Sequence, residues 1–197
     1  MTPKEGVNVA EYSLTARSPL GGIDQTLGTV TFREAADTAI VSLAIPLGGE
    51  AAAFDAIRAA FGVAPPIVGM SCLSADATAR LIRLGRDQIF VTLAHPGTCP
   101  AALIAARLGD AAYCTDQSDV WALLDISGTD TRSALERICP IDLHPDGFAL
   151  DQAARTAMEH IGVIIIRTAD DAFRLLSASS SANSFLEAVK VSLRNLH

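Results

Sequence analysis

The side chains that could carry out nucleophilic chemistry lie closest together in the segment 139–146. Cys139 is followed by His144, and Asp142 and Asp146 stand on either side of that histidine. A cysteine nucleophile needs a histidine base and an acid that orients it, so this segment is the best catalytic cluster in the sequence. The same residue types also build polar turns, in which Asp and His side chains bond to nearby backbone groups. We favour the polar turn and predict no catalytic residue, with a hydrolase that uses Cys139 and His144 as the alternative.

Metal and phosphate sites leave recognisable spacings, and the sequence carries none of them. Its 4 cysteines are scattered, and no C-x-x-C, H-x-H or H-E-x-x-H pattern occurs. The pair Gly48-Gly49 precedes a predicted helix but lacks the flanking residues of a phosphate-binding loop. His95 is predicted to be a turn residue, and His160 is predicted to lie at the edge of the core. We therefore expect no zinc, no disulfide and no cofactor in this chain.

The charge of the chain argues against nucleic acid as a partner. Among 197 residues, 22 are acidic and 15 are basic, which gives a net charge of −7, and Lys and Arg form no run. A nucleic-acid-binding surface needs clustered positive charge. The first residues show no basic segment followed by an apolar stretch, and no apolar run reaches membrane-spanning length. We expect a cytoplasmic protein that contacts neither nucleic acid nor membrane.

The apolar content of the chain is high. Hydrophobic residues make up 50% of the sequence and charged residues 19%, and the mean hydropathy is +0.33. An alanine-rich composition accounts for these values, and so does a surface that a partner protein covers. Trp121, the single tryptophan, fits both interpretations, because tryptophan anchors many interfaces and also packs in cores. Both stay open at this stage.

The elements that must position these residues follow an α+β pattern. Helices are predicted at Glu50–Phe61 and Pro100–Leu108, each ended by a glycine, and at 130–138 and 181–196, the last capped by Ser180 or Ser181. Strands are predicted at 29–33, 39–45, 79–84, 88–93, 111–115, 120–126, 155–158, 162–167 and 172–177. Antiparallel hairpins with segregated helices favour an α+β fold over a doubly wound parallel sheet.

The order of elements occurs twice, which predicts an internal duplication. Residues 83–87 match 167–171 at the crests of two hairpins, and residues 39–46 match 121–128 before two helices. The predicted organisation is an irregular N-terminal arm at 1–27, a first α+β half at 28–110 and a second at 111–197. We expect the two halves to form one compact unit.

Several segments of the chain also match a known family. Residues 122–128 (Ala-Leu-Leu-Asp-Ile-Ser-Gly) lead into a helix that is followed by Cys139-Pro140-Ile141-Asp142-Leu143-His144-Pro145 and then by Phe148. Further matches are Ser18-Pro19-Leu20 and the segments 83–87, 154–156 and 167–176. Together these segments resemble the gamma subunit of heterotetrameric sarcosine oxidase over most of the chain, and the run at 139–145 is quite specific.

Two segments depart from the family pattern. Where the family usually has Pro-Asp-Glu-Trp, this chain has Arg86-Asp87-Gln88-Ile89, and where the family has Arg-Ser before Phe or Tyr, this chain has Ser179-Ser180-Ser181. The departures bear on the substrate, because related assemblies oxidise other N-methyl amino acids, such as N-methylglutamate.

The resemblance implies a role inside an assembly. Enzymes of this type demethylate sarcosine oxidatively to glycine and hydrogen peroxide and pass the one-carbon unit to tetrahydrofolate. In the family the other subunits hold FAD, FMN, NAD, the tetrahydrofolate site and zinc, while the gamma subunit has no assigned cofactor or catalytic residue. The implied partners are the alpha, beta and delta subunits. The implied fold is similar to the folate-binding domain of glycine-cleavage aminomethyltransferases.

We expect a subunit contact at Trp121 and in the turn that follows the third predicted helix. The residues of this expected contact are Trp121, Cys139, Pro140, Asp142, His144 and Phe148. The alternative function is a free-standing folate-binding protein of one-carbon metabolism. That function needs a buried acid for the pterin edge, and Asp125 and Asp142 are the residues that could supply it.

Overall fold

The computed structural model describes Thr15 and residues 17–196. Eleven strands are present in this part of the chain: β1 (Asp24–Leu27), β2 (Val30–Glu34), β3 (Thr38–Ala44), β4 (Met70–Leu73), β5 (Ala79–Arg83), β6 (Gln88–Ala94), β7 (Tyr113–Asp116), β8 (Trp121–Ser127), β9 (Ala153–Met158), β10 (Ile161–Ala169) and β11 (Ala172–Ala178). The α-helices of the same part are α1 (Glu50–Phe61), α2 (Pro100–Leu108), α3 (Thr131–Glu136) and α4 (Ala182–Arg194).

Helix α1 shows why several boundaries follow from local sequence. Ala53, Ile57 and Phe61 are its buried residues and recur at helical spacing. Gly62 ends the helix with φ +70° and donates its backbone N–H to the carbonyl of Arg58. A Cβ at Gly62 would also lie 2.6 Å from the Cβ of Ala75, so this position has both a conformational and a steric reason for glycine. The predicted bounds of α1 and α2 are confirmed.

The strands form two antiparallel sheets within the described residues. The six-stranded sheet has the order β1-β2-β8-β11-β10-β9, and the five-stranded sheet has the order β4-β5-β6-β3-β7. The α+β prediction is therefore confirmed. Both orders contain the same series: β4, β5, β6, β3 and β7 correspond in turn to β9, β10, β11, β8 and β2, which supports the predicted internal duplication.

The two sheets pack face to face, and helices cover their outer faces. Ile40, Ile82 and Phe90 of the five-stranded sheet share a buried cluster with Leu123 and Leu176 of the six-stranded sheet. On the outer faces, α1 and α2 pack on the five-stranded sheet, and α3 and α4 pack on the six-stranded one. Strand residues alternate between the two sides, as the pleat requires. The result is a four-layer α/β/β/α sandwich.

Each sheet takes strands from both predicted halves. Strands β1 and β2 precede residue 110 yet belong to the six-stranded sheet, and β7 follows residue 110 yet belongs to the five-stranded one. The strands predicted at 111–115 and 120–126 therefore lie in different sheets. The division at residue 110 stays a prediction, but it does not separate the sheets.

Other sequence expectations need correction. Strand β1 falls inside the predicted irregular arm, of which residues 1–14 and 16 lie outside the described residues, and β4 was not predicted. Ser181 is the N-cap residue of α4, but its side chain makes no capping hydrogen bond, because a short 3-10 turn at Ser179–Ser181 leads into the helix. His160 is exposed in a tight turn and does not lie at the edge of the core.

The match of 39–46 to 121–128 is wrong by one residue. Leu43 pairs with Ile89, which pairs with Arg83, and Ile126 pairs with Phe173, which pairs with Arg167. Because Arg83 corresponds to Arg167, Leu43 corresponds to Ile126 and not to Asp125. A slip of one residue moves every side chain of a strand to the other face, so cross-strand pairing decides the match.

Candidate functional site

The segment 139–148 forms a compact turn after α3. The Asp142 carboxylate accepts the backbone N–H of His144 at 2.9 Å, and His144 Nδ1 accepts the backbone N–H of Asp146 at 3.3 Å. These bonds match the polar-turn interpretation. Among the described residues Cys139 Sγ has a contact at 3.8 Å with Thr156 Oγ1 and no hydrogen bond to His144. The nucleophile–base pair of the hydrolase alternative is therefore not assembled.

The same turn divides into buried and exposed residues. Cys139, Leu143 and Phe148 are buried in the cluster between the six-stranded sheet and its helices, whereas Pro140 and His144 are exposed. Asp142 is exposed as well. Cys139 and Phe148 are thus packed in the core, and a subunit contact at this turn stays a prediction.

Gly128, the last residue of the family segment 122–128, has a steric reason to be glycine. Gly128 has φ +135°, and a Cβ there would lie 2.0 Å from the backbone oxygen of Thr29. Only glycine fits where the chain leaves β8 beside β2. The turn residue therefore serves the close approach of two backbones.

Trp121 opens strand β8 and lies partly buried beside the inter-sheet cluster. Its ring meets Phe90 edge to face, with centroids 5.9 Å apart and an interplanar angle of 61°. Its indole Nε1 is buried and has no hydrogen-bond partner among the described residues. Trp121 also lines a cavity of about 610 Å³ together with Arg17, Ser118 and Asp119. The core-packing interpretation is thus supported, and a role at an interface stays a prediction.

A second cleft of about 610 Å³ opens at one end of the layer between the sheets. Arg33, Asp125 and Arg174 stand in register across β2, β8 and β11 and line it. Arg174 binds Asp125 through Nε at 2.6 Å and Nη2 at 2.7 Å. These hydrogen bonds, donated to the Asp125 carboxylate, raise the pKa of the Arg174 guanidinium. Arg33 is exposed and has no ion-pair partner in the described ranges.

The five-stranded sheet contributes Arg80 to this cleft. The Arg80 side chain is 10% exposed, and its Nη1 binds Ser71 Oγ at 2.8 Å and the carboxylate of Asp151. The pKa of the Cys72 thiol is raised, first by burial and then by the negative charge of the nearby Asp151 carboxylate. Two of the arginines that line the cleft, Arg80 and Arg174, are therefore held in ion pairs, whereas Arg33 is exposed.

Sequence reasoning missed this row of charges. Arg33, Asp125 and Arg174 lie far apart in the chain, and only the pairing of three strands brings them together. Among the described residues no group of three His, Cys, Asp or Glu side chains could hold a metal ion. None of the helices in the described part is both long and apolar enough to cross a membrane.

Large apolar side chains are exposed at several places on the surface. They are Leu47, Ile67, Val68, Leu73, Tyr113, Val120, Leu150 and Val191. Single exposed apolar residues are ordinary on protein surfaces, whereas groups of them mark contacts with other proteins. Ile67 and Val68, 73% and 48% exposed, are such neighbours and precede β4.

Comparison with known proteins decides the family. The sarcosine oxidase subunit gamma of Corynebacterium sp. (strain P-1) is 34% identical over 158 residues, which cover 79% of this chain and 75% of the relative. The chain belongs to the sarcosine oxidase gamma-subunit family. The gamma subunit from Arthrobacter sp. is 33% identical over 153 residues, 77% of this chain and 73% of its own. No family model matches the sequence.

One solved structure agrees with this family assignment, and a second agrees with the fold. A chain of the heterotetrameric sarcosine oxidase of Corynebacterium sp. U-96, in complex with pyrrole 2-carboxylate, superposes with a TM-score of 0.74. It is 25% identical, and the match covers 91% of this gamma-family chain and 95% of the other. Aminomethyltransferase T of the glycine cleavage system from Bartonella henselae has a TM-score of 0.62 at 16% identity, covering 83% of this chain and 46% of its own. That likeness confirms the predicted fold and says nothing of activity.

Proposed function

We propose that this chain is the non-catalytic gamma subunit of a flavoenzyme complex that demethylates sarcosine, or a close N-methyl amino acid, by oxidation. The observation that carries the proposal is the 34% identity to a sarcosine oxidase gamma subunit over 79% of the chain. The match to a chain of a heterotetrameric sarcosine oxidase over 91% of this chain supports it. In the complex the product would be glycine, and the one-carbon unit would pass to tetrahydrofolate.

The proposal places the chemistry in other subunits. The partners would be an alpha, a beta and a delta subunit in the cytoplasm, and those chains would hold FAD, FMN, NAD, tetrahydrofolate and zinc. Two features of this chain support a structural role. Cys139 and His144 form no catalytic pair, and two arginines of the inter-sheet cleft, Arg80 and Arg174, are held in ion pairs. The gamma subunit would then act by packing against its partners.

The folate-binding alternative finds less support in the geometry. Asp125 is held by two hydrogen bonds from Arg174, and Asp142 is exposed and caps its own turn. A pterin is bound best by an acid that is buried and free to accept its N–H groups. Neither aspartate is in that state.

The test is a native purification of the tagged chain from its own cells. We expect a yellow complex in which mass spectrometry identifies a flavin-binding subunit and a large folate-type subunit, and which consumes oxygen when sarcosine is added. N-methylglutamate serves as the competing substrate. A colourless chain recovered alone would contradict the proposal, and tight binding of tetrahydrofolate by that isolated chain would favour the alternative function.

A further inference from the structure

The two sheets of this protein differ in one strand. When the sheets are matched by their order, β7 corresponds to β2, and β1 has no counterpart in the five-stranded sheet. The match holds residue by residue, because Leu43 pairs with Cys114 and Ile126 pairs with Phe32. Cys114 therefore corresponds to Phe32 and Asp116 to Glu34. In the six-stranded sheet β1 covers the outer edge of β2; in the described part of the chain no strand covers the outer edge of β7.

The hydrogen-bond pattern shows which backbone groups of β7 face outward. Gln117 donates its N–H to the carbonyl of Ile40 at 2.8 Å, so residues 117, 115 and 113 bond inward to β3. The N–H and C=O groups of Cys114 and Asp116 consequently point away from the sheet. An antiparallel partner strand could make up to four hydrogen bonds with these two residues.

The corresponding groups in the other sheet are used in this way. Ala35 donates to Leu123, so Phe32 and Glu34 direct their backbone groups away from β8. Glu34 donates its N–H to the carbonyl of Ile23 at 2.8 Å, and Phe32 pairs with Gln25 of β1. The outer edge of β2, which corresponds to the outer edge of β7, is therefore already bound by a further strand, β1.

The edge of β7 is accessible and acidic. Tyr113 is 69% exposed, and Thr115 and Asp116 are exposed too. Asp110, Asp116 and Asp119 lie in the segment 109–120, which contains no Lys or Arg. Natural edge strands are usually covered, twisted away or blocked by proline or lysine, and β7 has neither residue. Charge complementarity favours a strand with basic side chains and disfavours a second copy of the same acidic edge.

We propose that β7 binds an extended strand of another subunit, one that carries Lys or Arg side chains and continues the five-stranded sheet beyond Cys114 and Asp116. Strand addition of this kind takes its affinity from main-chain hydrogen bonds and its specificity from alternate side chains. The inference rests on the proposed function, because it names the surface by which the gamma subunit joins its complex.

The test uses a proline that removes an outward N–H without touching the inward ladder. In Cys114→Pro the bonds of Tyr113 and Thr115 to β3 remain, while the new ring blocks the outer edge. The matched control is Thr26→Pro, since the backbone N–H of Thr26 points away from β2 at the edge of the other sheet. This control loses only the exposed hydroxyl contact between Thr26 and Thr31. We expect the amount of partner subunits that copurifies with the chain to fall roughly tenfold or more for Cys114→Pro and less than about twofold for Thr26→Pro.

Hydrogen exchange in the wild-type complex provides a second measurement that needs no variant. The amides of Cys114 and Asp116 are expected to exchange roughly a hundredfold or more slowly than open amides. Fast exchange at both residues, or full assembly with Cys114→Pro, overturns the strand-addition proposal while the subunit assignment stands. A wild-type chain that recovers no partners overturns the subunit assignment itself.

The same complex also distinguishes other occupants of the edge. Loss of protection at Cys114 after deletion of residues 1–14 would assign the edge to this chain's own leading segment and overturn the proposal. A further outcome is a complex that contains two copies of the chain and keeps slow exchange at Cys114 when the other subunits are removed. That result would assign the edge of β7 to a second copy of the chain and would also overturn the proposal.

Discussion

At the scale of single residues, two arginines, Arg83 and Arg167, make equivalent hydrogen bonds in the two halves of the molecule. Arg83 donates through Nε to Gly85 O, through Nη1 to Pro66 O and through Nη2 to Arg86 O. Arg167 repeats these bonds, atom for atom, to the carbonyls of Ala169, Phe148 and Asp170. Each guanidinium thus holds a hairpin crest and fastens a preceding loop to it. For Arg167 that loop belongs to the family turn, which ends at Phe148.

The two arginines should differ in how much they contribute to stability. Arg167 is 4% exposed, whereas Arg83 is half-buried and lies over the ring of Phe54. Arg167→Ala leaves the buried carbonyl of Phe148 and two partly buried carbonyls without this donor. We therefore expect a loss of about 3 kcal/mol in the free energy of unfolding, against about 1 kcal/mol for Arg83→Ala. Urea unfolding followed by the fluorescence of Trp121 measures both.

Arg167→Lys is the control for charge in this experiment. Lysine keeps the positive charge but cannot reach three separate carbonyls with a planar fork. We expect it to recover less than about half of the loss. Full recovery by lysine would show that charge, and not the fork of hydrogen bonds, holds the crest.

At the scale of elements, the turn between β9 and β10 is built from unusual residues. Glu159 and His160 join Met158 to Ile161, which face each other across the hairpin. Both have positive φ, +47° and +68°, which is typical of a type I′ turn. Asn-Gly is the favoured pair at these positions, since positive φ is costly for most side chains and least costly for glycine. Neither turn position is occupied by glycine, so the sequence pattern did not predict a turn here, and the prediction that His160 lies at the edge of the core is wrong.

Replacement of this pair by Asn-Gly should stabilise the protein. The double variant Glu159→Asn, His160→Gly removes left-handed strain from two residues, so we expect a gain of about 1 kcal/mol and a higher Tm. Asp171→Gly, in the turn between β10 and β11, is the control, because Asp171 has no positive φ to relieve. A gain of the same size in the control would attribute the effect to something other than backbone strain.

At the scale of the whole molecule, the exchange of strands makes the two sheets depend on each other. The six-stranded sheet needs β2 from the first half, and the five-stranded sheet needs β7 from the second. Their inner faces also share one buried cluster around Ile40, Phe90 and Leu176. Neither sheet can bury its inner face alone, so the molecule should unfold as a unit.

Fragments test this dependence. We expect the fragments 1–110 and 111–197 each to lack stable structure, because the cut removes β7 from one sheet and β1 and β2 from the other. When mixed, they should regain the circular dichroism of the intact chain. Fragment 38–117, which contains every strand of the five-stranded sheet, is the comparison and should retain more helix and strand than 1–110. A stably folded 111–197 alone would contradict the exchange.

Local sequence by itself determined the elements that have clear boundaries. Glycines after Phe61 and Leu108 ended α1 and α2 where predicted, and the run at 139–145 resembled the gamma-subunit family that the comparisons establish. The duplicated hairpin crests were also visible, because Arg83 and Arg167 precede similar turns. These features depend on residues that lie close together in the chain.

Only the tertiary structure decided the long-range pairing. It placed β1 and β2 beside β8, moved β7 to the other sheet and corrected the match of the halves by one residue. It also aligned Arg33, Asp125 and Arg174 and, within the described residues, placed β7 at the edge of its sheet. Register and strand order arise from contacts between distant segments and from the burial of whole faces, and a linear pattern of residue types carries little of that information.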